Sequence, residues 1–122
     1  TMPRGNNNNH IGSLFCDNLG YCAVKINGGS YNNIGMVISR NCWTVDPLLI
    51  ARGILEFQTS DAVGNIIGFI DHKNTITQRP QYIVHFDSGA SGNKVLSGIH
   101  RSEFSIAASL DENNGNFVSF IG

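Results

Sequence analysis

No apolar run in this 122-residue chain is long enough to make a typical helix, and Gly- and Asn-rich turns separate the runs. Ile54-Leu55-Glu56-Phe57-Gln58-Thr59, Asn65-Ile66-Ile67-Gly68-Phe69-Ile70-Asp71 and Gln81-Tyr82-Ile83-Val84-His85-Phe86 are rich in β-branched and aromatic residues, so each reads as a strand. Ser60 to Gly64 supplies turn chemistry between the first two, and His72 to Pro80 is a polar loop before the third. The three form a meander able to nucleate a sheet. Its last strand places Tyr82, Val84 and Phe86 on one face and Ile83 and His85 on the other.

The remainder extends the pattern. Leu14-Phe15-Cys16 and Tyr21 to Ile26 read as a hairpin across Asn18–Gly20, and Asn27-Gly28-Gly29-Ser30 is the strongest turn signal. Tyr31 to Ile38 is the next strand, with Gly35 a bulge. Asp46 to Arg52 is the one helical candidate: an Asp cap, Pro47 at the first position and Gly53 as terminator. Lys94 to Ser97, Glu103 to Leu110 and Phe117 to Ile121 complete the strands, and no internal repeat is evident. Short strands with at most one short helix predict an all-β, single-domain antiparallel sandwich, jelly roll or barrel over residues 11–122. Residues 1–10, with four consecutive asparagines, read as a flexible leader or hinge, and Thr1-Met2-Pro3 as a fragment boundary.

Charge narrows the function classes. Net charge is −1 and the Lys and Arg residues are scattered singly, so a nucleic-acid partner is not expected. No apolar run approaches the length of a membrane span. Charged residues are only 14% of the chain, so neutral polar groups must build much of its surface; fifteen residues are Asn. Cys16, Cys22 and Cys42 are an odd set without metal-site spacing, and read as free, buried thiols.

Candidate chemistry is sparse. Phe86-Asp87-Ser88-Gly89-Ala90 resembles the Asp-Ser/Thr-Gly-Ala segment of retroviral-type aspartic proteases, but no second such segment is present, and Asp87 reads as a local turn former. His85 and Asp87, with Asp71 and His72, form a candidate acid–base or metal group, against the simpler reading of an exposed histidine. Asp111 to Asn116 has oxygen ligands at alternate positions, yet Gly115 falls at the fifth place, not the sixth, so a plain turn is favoured over a calcium loop. No Gly-x-Ser-x-Gly elbow occurs. A catalytic role, a cofactor and a metal ion are therefore not expected.

In outline, from the Asn-rich leader Gly5–Asn9 to the closing Phe120-Ile121-Gly122, the chain resembles the capsid protruding domain of small icosahedral RNA viruses of nodavirus or tombusvirus type. That resemblance implies a homodimeric spike on the virion surface that meets a host receptor or glycan through its loops. The loop candidates are His72, Lys73, Asn74, Gln78 and Arg79, then Asn93 with Lys94 and Asn113 with Asn114. A carbohydrate-binding module or lectin is the runner-up, with a secreted location as its alternative.

Overall fold

Every strand pair among the described residues of this protein is parallel. The computed structural model describes residues 7–19, 22–42, 53–74, 82–102, 107–113 and 115–120. They contain ten strands and no helix: β1 (His10–Asp17), β2 (Val24–Asn27), β3 (Asn33–Arg40), β4 (Gly53–Gln58), β5 (Ile66–Asn74), β6 (Tyr82–Phe86), β7 (Lys94–Val95), β8 (Gly98–Ser102), β9 (Ala107–Asp111) and β10 (Phe117–Val118). One sheet runs β1-β3-β5-β7-β10, with β8 also on β5; the other runs β2-β4-β6-β9. The chain thus alternates between two sheets, and each circuit lays one strand in each, except that the fourth lays two, β7 and β8, against β5. This is a parallel β-solenoid of four rungs plus the start of a fifth.

An antiparallel sandwich, jelly roll or barrel is therefore the wrong class, and the likeness to a capsid protruding domain falls with it, since those domains are antiparallel. The viral, spike and host-attachment reading loses its structural basis. The expected meander is divided: β4 and β6 pair directly, while β5 lies in the opposite sheet. The expected hairpin is divided too, because β1 pairs β3 and β2 pairs β4. Asn27-Gly28, with Gly28 at φ 82°, turns a corner between sheets and does not reverse a ribbon. His72, Lys73 and Asn74 belong to β5, not to a loop. The helical candidate Asp46–Arg52 lies outside the described residues.

A repeat does exist, at unequal spacing. Asn9-His-Ile-Gly12, Asn32-Asn-Ile-Gly35, Asn65-Ile-Ile-Gly68, Asn93-Lys-Val-Leu96 and Asn116-Phe-Val-Ser119 each open a rung. The asparagines stack as a ladder through the corner. Asn9 Nδ2 donates to Asn32 Oδ1 at 3.0 Å, Asn32 Nδ2 to Asn65 Oδ1 at 2.9 Å, Asn65 Nδ2 to Asn93 Oδ1 at 2.9 Å, and Asn93 Nδ2 to Asn116 Oδ1 at 2.9 Å. Each of these oxygens also accepts the backbone N–H of the same donor residue. Asn32, Asn65 and Asn93 are buried, where an amide is tolerated only because donor and acceptor are both engaged. The residue before each of the first four ladder positions bends left-handed: Asn8, Tyr31, Gly64 and Gly92 all have φ between 56° and 68°.

Two positions beyond each Asn comes the first inward side chain, and three further the second. Ile34 and Val37, Ile67 and Ile70 are wholly buried, and Val95 continues the first column. The glycine between them marks where the inward-facing parity changes. A Cβ on Gly35 would lie 2.6 Å from Gly12 O, and one on Gly68 would lie 2.5 Å from Gly35 O. Only hydrogen fits where these strands kink against one another. In the second sheet, Val24, Leu55 and Val84 form one register column, and Ile26, Phe57 and Phe86 another. Phe57 and Phe86 stack at 4.9 Å. At roughly 1.5–3 kcal/mol per fully buried side chain, these four columns hold the coil together; no disulfide does, since Cys16, Cys22 and Cys42 are free thiols.

Candidate functional site

Past the glycine kink, alternate residues of the six-stranded sheet point outward. Eight residues beyond each of the first four ladder asparagines stands an outward charged residue: Asp17 after Asn9, Arg40 after Asn32, Lys73 after Asn65 and Arg101 after Asn93. These four are Cα partners across adjacent strands. A parallel sheet spaces its strands by about 4.8 Å, so three cations follow one another at that interval along the solenoid axis. The neighbouring column, six residues after each asparagine, is Phe15, Ile38, Asp71 and Ile99. Phe15 is 68% exposed, and Met36 and Phe69 lie in register one column further in. The face is therefore an apolar strip beside a cationic one.

Asp71 ties the two strips together. Arg40 Nη2 and Nη1 donate to its two carboxylate oxygens at 3.1 and 3.3 Å, and Arg40 Nη1 also reaches the Asp71 carbonyl at 2.9 Å. From the opposite side, Arg101 Nη2 donates to Asp71 Oδ1 at 2.9 Å. Partial burial alone would raise the Asp71 pKa. The hydrogen bonds and charges of Arg40, then of Arg101, outweigh it and hold the carboxyl below its ordinary range. Two guanidiniums are thereby fixed in place, with exposed Lys73 in register between them.

A second charged group spans three rungs of the other sheet. Glu56 and His85 are register partners on β4 and β6. His85 Nδ1 lies 2.8 Å from Glu56 Oε2, and Nε2 lies 2.7 Å from Glu112 Oε2, just beyond β9. The His85 and Glu56 side chains are buried, whereas Glu112 is about half exposed at 45%. Glu56 also accepts the backbone N–H of Gly53. Burial would depress the His85 pKa, but the bonds and charges of Glu56 and then Glu112 raise it overall. With a carboxylate oxygen at each ring nitrogen, the imidazole is a clamp across rungs that donates at both ends when protonated.

The residues singled out from the sequence are dispersed. His72 is wholly buried, its Nδ1 3.1 Å from Ser39 Oγ; Asn74 is buried at the end of β5; Lys73 alone of the three faces solvent. Asn93 is a ladder residue, Lys94 is exposed on β7, and Asn113 Nδ2 donates to Ser88 O at 2.8 Å. Gln78, Arg79 and Asn114 lie outside the described residues. His85 is not grouped with Asp71 and His72, which belong to the opposite sheet. Asp87 Oδ1 accepts the N–H of Gly89 at 3.0 Å and holds a turn, and that bond above all lowers its pKa. Asp111 is likewise engaged by the N–H groups of Asn113 and Asn116. No group of three His, Cys, Asp or Glu residues able to hold a metal occurs among the described residues.

Arg40 and Arg101 went unnoticed as site residues because each is isolated in sequence. Aligning the chain on Asn-x-Ile/Val would have brought them into one column with Lys73. Comparison with protein-family models, curated proteins and solved structures finds no match to this chain.

Proposed function

We propose that this chain is a non-catalytic binding module that holds an extended acidic polysaccharide along the solenoid axis, on the outer face of the six-stranded sheet. The register column Arg40, Lys73, Arg101 carries the reading. A linear chain with carboxylates at regular intervals meets cations at regular intervals, and the strip of Phe15, Ile38 and Ile99 offers apolar surface to sugar ring faces. Asp71 offsets one positive charge, so the attraction is modest and falls with salt. A nucleic-acid duplex, with its denser phosphate charge, calls for more cations than this face offers. Three carboxylates beside the solvent are already engaged: Asp71 by two arginines, Glu112 by His85 and Asp87 by Gly89. That supports binding over turnover.

Affinity electrophoresis through gels containing polygalacturonate or neutral amylose tests the reading. Retardation by polygalacturonate alone is expected, reduced several-fold by Lys73→Glu combined with Arg101→Glu, because each exposed ion contact is worth about 0.2–1 kcal/mol. Equal mobility in both gels would refute it. A second reading, acid–base catalysis, draws on the half-exposed Glu112 at the end of the His85 clamp; cleavage of polygalacturonate lost in His85→Gln would favour it.

A further inference from the structure

The charged column on the outer face changes sign along the solenoid axis. On β1 its place is taken by Asp17, the Cα partner of Arg40. Asp17 is exposed, and it forms no ion pair among the described residues. Arg40 does not reach it, because both guanidinium nitrogens go to the carboxylate of Asp71, at 3.3 and 3.1 Å. Lys73 and then Arg101 follow in register, the first exposed and the second 55% exposed against 27% for Arg40. The column therefore passes from an exposed carboxylate, through an arginine occupied by Asp71, to two cations that face solvent.

Phe15 stands two residues before Asp17 on β1 and projects from the same side of the sheet, 68% exposed. Both side chains leave the outer face and not the strand edge, so a strand paired beside β1 would leave them facing outward. A carboxylate next to a bare aromatic ring repels a sugar acid. It suits an uncharged sugar, whose hydroxyls donate to an ionised carboxylate and whose apolar ring face covers the phenyl ring. We propose that Phe15 and Asp17 form a subsite for an uncharged sugar unit. The ligand of this face is then a mixed polysaccharide, in which a run of sugar acids over Lys73 and Arg101 gives way to a neutral unit over β1. This rests on the acidic-polysaccharide reading and adds to it a rule against uniform charge.

Affinity electrophoresis of the whole chain through polygalacturonate, and through the same polymer partly methyl-esterified, tests the subsite. The readout is the ratio of affinities for the two gels. Asp17→Lys is expected to move that ratio toward the fully acidic polymer by about two- to fivefold, the worth of one exposed ion contact. Asp61→Lys makes the same change of net charge on the corner between β4 and β5, away from this face, and should leave the ratio as it is. Phe15→Ala should weaken retardation chiefly in the esterified gel. An unchanged ratio in Asp17→Lys, an equal shift in Asp61→Lys, or equal losses in both gels for Phe15→Ala would each overturn the subsite and leave the acidic-polysaccharide reading standing. Retardation by neither gel would overturn both.

Discussion

Asn65 Nδ2 lies 2.9 Å from Asn93 Oδ1, and the Asn65 backbone nitrogen reaches the same oxygen at 3.0 Å. One buried oxygen thus takes two donors from the rung before it. Asn65 Oδ1 does the same for Asn32, and Asn65 Nδ2 also donates to Gly29 O at 2.7 Å. Removing one mid-ladder side chain orphans groups on two rungs. Asn65→Ala is expected to cost about 3 kcal/mol or more, at about 1–3 kcal/mol for each buried group left unsatisfied. Asn9→Ala, at the half-exposed head of the ladder, should cost about a third of that. Urea unfolding of the two variants checks the ratio, and equal losses would contradict a cooperative ladder.

The stacked glycines make a controlled comparison. A Cβ on Gly35 or Gly68 meets backbone oxygen of the preceding strand, and backbone cannot swing aside as a side chain end can. Gly12 has nothing within 4 Å of the same position. Gly68→Ala should lose about 1–3 kcal/mol by overpacking, while Gly12→Ala should be neutral within about 0.5 kcal/mol. Thermal unfolding midpoints decide it.

The His85 clamp gives stability a definite pH sign. Its pKa in the fold is raised above the free value of about 6.5. The folded state then holds a proton that the unfolded state releases, so the stabilisation is complete below about pH 6.5 and is lost as pH rises through the raised value. Asp71 and Asp87, with lowered pKa values, act in the opposite window: their contribution is present above the ordinary carboxylate range and disappears on acidification. Wild type should lose stability relative to His85→Gln as pH increases from 6 to 9. A pH-independent difference would exclude the clamp as its source.

Asp71→Asn should strengthen polyanion binding. Neutralising this carboxylate leaves the charges of Arg40 and Arg101 uncompensated beside Lys73, and affinity for polygalacturonate should rise several-fold at low salt. Because the Arg40 and Arg101 pairs are partly exposed, the stability cost should stay below about 1 kcal/mol. Calorimetric titration across salt concentrations measures both direction and screening.

Much of the local structure could be read directly. The runs at Ile54, Ile66 and Tyr82 are strands, and Val84 and Phe86 do share a face turned to the core. The repeat was missed because its ladder asparagines recur at intervals of 23, 33, 28 and 23 residues, and a search for a constant period passes over them. Loop length costs little free energy once the ends are held together, so connections between rungs vary while the Asn-x-Ile/Val core of each rung does not. The clamp was invisible for a related reason. Glu56, His85 and Glu112 are 29 and 27 residues apart, and only the parallel register of β4 and β6, with Glu112 just past β9, brings them together.

By itself, the order of amino acids located most of the strand segments but not their bounds, because steric preference and burial act over a few neighbouring residues, while the pairing that extends β5 through His72–Asn74 does not. Which strand lies beside which was decided only in three dimensions. Asn27-Gly28 can close a hairpin or turn a corner between sheets, and nothing within those residues distinguishes the two. The choice rests on amides many residues apart: an asparagine in a parallel stack satisfies its neighbours above and below, and that condition exists only once the coil has closed.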